Sequence, residues 1–130
     1  MANPRAVVSV SRILVAADDA EVGNLLARKL GNTKYSVSEA KSGAETLKLL
    51  RSVHFQVLVL DLDMLDSDGF EVLKAVKTEH PSVRVLAISG YRNGVLLEAA
   101  RCLGATFSLH RNKAPRLLAE NVRKLLGESR

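Results

Sequence analysis

The chain has no tryptophan and a single cysteine, Cys102. One thiol cannot form an internal disulfide, so the fold must rest on its core, as is usual in the reducing cytoplasm. Cys102 itself reads as a small core residue on a helix. Two tyrosines and three phenylalanines are too few to build stacking platforms for nucleic-acid bases. The net charge is +5, yet the basic residues (Arg28, Lys29, Lys48, Arg51, Lys74, Lys77) are scattered and form no dense run. They sit on the polar sides of apolar-periodic segments, which argues for solvated helix faces and against direct nucleic-acid binding. No apolar run approaches the ~20 residues needed to cross a bilayer. The opening MANPRAVVSV has one charge and no cleavage signature, so it reads as a short tail rather than a secretion signal.

Repeats, low-complexity segments and long linkers are also missing. At 130 residues the chain is one domain, with room to bury about two-thirds of its unfolded surface. The reading divides it into a tail over 1–11, a domain over 12–127 and a tail over 128–130.

What is present is an alternation. Arg12 to Ala17 is a short apolar run and reads as a buried strand. Asp18 and Asp19 end it, and either can cap the helix that follows. Val22, Leu25, Leu26 and Leu30 share one helical face, and Gly31 closes that helix. Tyr35 to Ala40 alternates weakly, as a second strand. Ser42 and Glu45 have the spacing of a capping box ahead of a helix striped by Ala44, Leu47 and Leu50. Gln56 to Leu60 is a third strand. A third helix carries Phe70, Leu73 and Val76, and His80-Pro81 ends it. Val83 to Ile88 is a fourth strand. Val95, Leu96, Ala99 and Leu103 mark a fourth helix, closed by Gly104. Ala105 to Leu109 is a fifth strand, and Pro115 opens a last helix lined by Leu118, Val122 and Leu125.

Strands one, three and four are apolar on both faces, as a parallel sheet covered on both sides requires. The expected fold class is α/β, a doubly wound five-stranded parallel sheet with five helices. In such sheets ligands bind beyond the carboxyl ends of the strands, where the strand order switches.

That is where the acids lie. Asp18, Asp19 and Asp61 follow apolar strands, and Asp63 stands two positions past Asp61. Any one of them can be a turn or cap residue. Together they would repel unless a cation sat among them. Mg²⁺ takes one or two carboxylates plus water and phosphate oxygens, and a carboxylate can attack phosphorus. The group therefore suggests a Mg²⁺ and phosphoryl site. His54, His80 and His110 are not spaced as metal ligands.

Four segments in order, RILVAADDAE, VLVLDLDMLDSDGFEVL, VRVLAISG and LGATFSLHR, resemble the motifs of response-regulator receiver domains, the phosphoacceptor modules of two-component signalling. The resemblance runs without gaps from about Arg12 to Leu126 and implies a flavodoxin-like (βα)5 fold. It implies that Asp61 is the phosphoacceptor, that Asp18 binds Mg²⁺ directly, and that Asp63 gives the metal its backbone carbonyl. Ser89 would hydrogen-bond a phosphoryl oxygen, and Gly90 is small so that the phosphoryl group can approach. Asp63 and Tyr91 fill the positions that tune phosphoryl lifetime.

Several residues depart from the family pattern. Ala17 replaces the first acid of the usual pair, which implies a weaker hold on Mg²⁺. Asp19 adds charge one position on, with its side chain expected to point elsewhere. Arg111 stands at the fifth-strand lysine, an exchange that keeps charge but not shape. Asn112 and Leu65 replace usual prolines, so no cis bond is expected before residue 112. Ser108 stands at an aromatic switch position, with Phe107 one place off and expected in the core.

The resemblance implies a histidine kinase or phosphotransfer protein as donor and a downstream protein target, with output through the fourth helix, fifth strand and fifth helix. It also implies a cytoplasmic monomer or weak dimer that is not a turnover enzyme. Two alternatives stay open. One is a receiver-fold binding module independent of phosphate, motivated by Ala17, Arg111 and Ser108. The other is a phosphatase of the haloacid-dehalogenase type, which DLDML also resembles.

Overall fold

A computed structural model of the chain describes residues 10–31, 34–64, 69–90 and 95–127. Its elements are β1 (Ser11–Ala16), α1 (Ala20–Leu30), β2 (Tyr35–Ala40), α2 (Gly43–Ser52), β3 (Val57–Asp61), α3 (Gly69–Glu79), β4 (Arg84–Ser89), α4 (Val95–Cys102), β5 (Phe107–His110) and α5 (Ala114–Leu125), with a 3₁₀ turn over Arg111–Lys113. The strands form one parallel sheet in the order β2-β1-β3-β4-β5. This is the expected doubly wound α/β architecture, and the order reverses between β1 and β3.

Period-two alternation splits each central strand between two cores. Leu14, Leu58, Leu60, Val85 and Ala87 face one side, where Leu50 of α2, Val72, Leu73 and Val76 of α3, and Ala100 of α4 pack on them. Ile13, Val15, Val57, Val59, Leu86 and Ile88 face the other, against Leu26 and Leu30 of α1 and Leu118, Val122 and Leu125 of α5. All five residues of β3 are buried, which explains its unbroken apolar run. The edge strands differ: β2 is only partly buried, and every residue of β5 is half-buried. Among the described residues no helix is long and apolar enough to cross a membrane.

The caps follow the sequence with small adjustments. Asp19, not Asp18, caps α1, accepting from the backbone N–H of Glu21 at 2.8 Å and of Val22 at 3.3 Å. Ser42 Oγ accepts from Glu45 N–H at 3.0 Å, while Glu45 Oε1 reaches back to the N–H of Lys41 at 2.8 Å. The reciprocal bond of the capping box thus lands one residue early. Ser42→Ala removes one acceptor from an exposed helix start, and a loss of about 1 kcal/mol in chemical denaturation is expected.

Two expectations about the α4 end are corrected. Cys102 is exposed, not in the core. Ala100 carries the buried face of α4, and a residue two positions on lies about 200° around the helix, on the solvent side. Leu103 falls just past the helix and is 43% exposed. The chain turns away there at Gly104, whose φ of +116° favours glycine. Phe107, expected in the core, is half-buried and packs against the α1/α5 core from the edge strand.

Candidate functional site

The register builds the site. Ala16 pairs with Leu60, Asp61 with Ile88, and Ser89 with His110. The next residues at the carboxyl edge are Ala17 and Asp18 after β1, Asp63 after β3, Gly90 after β4 and Arg111 after β5. A concavity of about 420 Å³ opens over this edge, lined by Asp18, Asp19, Asp61, Asp63 and Arg111. The residues gathered by sequence reasoning do converge. Ala17 is buried beneath this edge and its N–H donates to Ala40 O at 3.0 Å. Asp19 is among the residues lining the concavity, and its Oδ1 is engaged by the N–H groups of Glu21 and Val22 at the start of α1. Tyr91, Leu65, Asp66 and Asp68 lie outside the described residues.

Asp61 is 2% exposed. Arg111 meets it with one nitrogen: Nη2 donates to Asp61 Oδ1 at 3.0 Å and Oδ2 at 3.1 Å, and to Asp63 Oδ2 at 2.9 Å. The N–H of Asp63 donates to Asp61 Oδ1 at 2.9 Å. Burial pushes the Asp61 carboxyl above its usual value. The Asp63 N–H and the Arg111 charge pull it back down, and the Asp63 carboxylate adds a smaller upward push.

Sequence reasoning missed what the Asp63 side chain does. The resemblance implies a backbone carbonyl for the metal and a position that tunes phosphoryl lifetime, but no partners for the carboxylate. Its Oδ1 accepts from Ser89 Oγ at 3.0 Å, and its Oδ2 accepts from Gly90 N–H at 2.8 Å as well as from Arg111. The available signal was the spacing, since positions 61 and 63 share a side wherever the chain stays extended. A Cβ at Gly90 would stand 3.6 Å from Asp63 Oδ2 and 3.7 Å from Arg111 Nε, at the lip of this cluster. His110 takes no part in it. Its Nδ1 faces the Asn112 side chain and N–H at the 3₁₀ turn. The described peptide bonds include no cis bond, as expected with Asn112 in place of proline.

Could these residues hold a hard cation? Among the described residues, no three His, Cys, Asp or Glu side chains form a metal-holding group. Asp18 and Asp61 line the same concavity as Asp63, whose carboxylate is bonded to Ser89, Gly90 and Arg111. Two carboxylates with a backbone carbonyl are an oxygen-only set of the size Mg²⁺ accepts alongside water and phosphate.

The same architecture is widespread. A receiver-domain structure from Methanospirillum hungatei superposes with a TM-score of 0.84 at 23% identity, covering 92% of this chain and 95% of that one. Response regulator TrrA from Thermotoga maritima, solved with Mg²⁺ and BeF, gives a TM-score of 0.79 at 24% identity over 89% of this chain and 99% of that one. The family model described as the response regulator receiver domain matches residues 13–123. The chain therefore belongs to the response-regulator receiver family of two-component signalling, whose members are signalling phosphoacceptors. Among curated relatives, the transcriptional regulatory protein ZraR of Klebsiella oxytoca is 35% identical over 79 residues, 61% of this chain and 18% of its own length. The response regulator receiver protein CpdR of Brucella abortus is 28% identical over 82 residues, 63% of this chain and 68% of its own length. The sensor protein EvgS of Escherichia coli is 30% identical over 77 residues, 59% of this chain and 6% of its own length. The chain thus spans only 18% of the ZraR relative.

Proposed function

We propose that Asp61 accepts a phosphoryl group from a phosphohistidine on a histidine kinase or phosphotransfer protein. The observation that carries this is the 2%-exposed carboxylate at the end of the central strand, aimed into an open concavity beside a fixed cation. One Asp61 oxygen attacks phosphorus. The P–N bond of the donor breaks, the electron pair leaves with the imidazole, which takes up a proton, and an acyl phosphate forms. Burial strips water from the nucleophile, and Arg111 offsets the charge that accumulates on the phosphoryl oxygens.

Asp18, Asp61 and the carbonyl of Asp63 are the groups that would hold Mg²⁺, and the ion supplies charge neutralisation at the phosphoryl oxygens when bound. Ser89 Oγ and Gly90 N–H are the remaining donors at the carboxyl edge. The proposed output is a surface change across α4, β5 and α5, read by a separate protein. The chain would promote its own phosphorylation and hydrolysis without being a turnover enzyme. Scattered positive charge argues for no direct nucleic-acid contact, a single thiol fits the reducing cytoplasm, and the proposed state is a monomer or weak dimer.

A second reading, a receiver-fold module independent of phosphate, is favoured by one feature: the Asp61–Arg111–Asp63 cluster is charge-paired without any phosphoryl group. Intact mass separates the two. Incubation with a small phosphodonor and Mg²⁺ is expected to add one phosphoryl group, lost with Asp61→Asn and with chelator. Unchanged mass, with Mg²⁺ binding also undetectable, rejects the phosphoacceptor reading.

A further inference from the structure

Three donors meet at the carboxyl ends of β4 and β5: the Ser89 hydroxyl, the Gly90 N–H and the Arg111 guanidinium. All three reach one carboxylate, and the Arg111 nitrogen that does so also donates to Asp61. Asp63 Oδ1 takes Ser89 at 3.0 Å, and Oδ2 takes Gly90 at 2.8 Å and Arg111 at 2.9 Å. The Asp63 side chain is 17% exposed, so it is seated in the cluster rather than extended into water. We propose that the Asp63 carboxylate is an internal occupant of the anion-binding donors, and that it must leave them before an external phosphoryl group can be received. The regulatory part of this inference rests on the reading of Asp61 as phosphoacceptor.

The argument is one of stoichiometry. A hydroxyl carries one hydrogen and a backbone amide carries one, so each serves one strong acceptor at a time. While Asp63 holds them, a phosphoryl oxygen has no claim on either. Charge adds to this. A phosphorylated Asp61 would stand beside a carboxylate already bonded to the same guanidinium, and like charges at this range oppose each other. The uncomplexed protein is therefore held with the Ser89 hydroxyl, the Gly90 N–H and Arg111 Nη2 engaged by Asp63, while Arg111 Nε is buried without a hydrogen-bond partner among the described residues. Loading it requires Asp63 to swing out. Asp63 is a positioning residue in this scheme, acting through Ser89, Gly90 and Arg111.

The test uses the 130-residue chain without metal. The amide of Gly90 and the guanidinium of Arg111 are followed by ¹H–¹⁵N NMR during titration with inorganic phosphate, in wild type, Asp63→Ala and Asp63→Asn. In wild type the Gly90 proton is expected downfield and indifferent to phosphate. In Asp63→Ala it should lie upfield without phosphate, then return downfield as phosphate binds at least about tenfold more tightly than to wild type, a difference of about 1.4 kcal/mol. Asp63→Asn keeps the shape but offers one acceptor oxygen, so it should free one donor and fall between. A Gly90 proton at the same position in all three proteins overturns the proposal, as does a phosphate response that is equal in all three or absent from all three. Phosphorylation with Mg²⁺ and a small donor is scored separately. Faster mass gain in Asp63→Ala supports the regulatory role. No gain in any variant, with the Gly90 response as expected, rejects the phosphoacceptor reading and leaves the occupied anion site standing.

Discussion

Arg111→Ala is expected to destabilise the protein by about 1–3 kcal/mol at neutral pH and by progressively less as the pH is lowered. Removing one partner of a fully buried ion pair costs about 3–5 kcal/mol, and of an exposed pair about 0–1 kcal/mol. This pair lies between those limits, because Asp61 is 2% exposed while the Arg111 side chain is 38% exposed. Without the guanidinium, Asp61 keeps its burial and its carboxylate neighbour Asp63 but loses one of the influences that lowered it. Its carboxyl, already raised, rises further. A carboxyl raised in the folded state binds more protons there than in the unfolded chain, so stability falls as pH rises through that interval. Below the ordinary value of 3.8 both states are protonated and the penalty disappears. Denaturant midpoints at several pH values above that point measure the slope. Adding Asp61→Asn to Arg111→Ala should recover stability at neutral pH and flatten the slope, since the two groups are in contact and their effects are coupled. A loss of equal size at every pH would show that Arg111 acts by packing rather than by charge.

Asp18 and Asp61 were legible for a simple reason: each stands at or just past the end of a strand whose apolar run is visible in the sequence, and a parallel sheet brings such ends to one edge. Ser89 and Arg111 were reached through the family resemblance instead. The central strands were legible because both faces are buried, so hydrophobicity marks them directly. The fifth strand was placed early, at 105–109 instead of Phe107–His110, because an edge strand of half-buried residues leaves a weaker trace. Cys102 was misplaced because burial on α4 depends on where that helix meets the sheet, and a short helix has few residues to define its phase. The partners of the Asp63 carboxylate were not legible, for a different reason. They come from β4 and from the turn after β5, 26 and 48 residues away, and only the assembled sheet places them around it. Local pattern reports which residues reach the edge. It does not report which of them pair once there.

Gly69→Ala should lower stability by about 1–3 kcal/mol, against the sign that helix propensity gives. Gly69 is the first residue of α3, and alanine is better than glycine inside a helix by about 1 kcal/mol. Space decides otherwise. A Cβ at position 69 would stand 2.7 Å from Leu62 Cα, 3.0 Å from its carbonyl oxygen and 3.2 Å from its carbonyl carbon. These are backbone atoms and cannot rotate aside. Leu62 is itself held, because it is 5% exposed and its N–H donates to Ile88 O at 2.8 Å. Either α3 moves outward from the Val72, Leu73 and Val76 contacts or the Leu62 backbone shifts. The second route displaces Asp61 and Asp63 on either side of it and disturbs the donors gathered on Asp63. Thermal unfolding reads the stability loss, and the Gly90 amide reads the displacement. Gly90→Ala is the control: its Cβ would meet nothing nearer than 3.6 Å, so its midpoint should stay within about 1 kcal/mol of wild type. A Gly69→Ala protein as stable as wild type, with the Gly90 signal unmoved, would mean that the start of α3 yields freely and that its close approach to Leu62 does not brace the site.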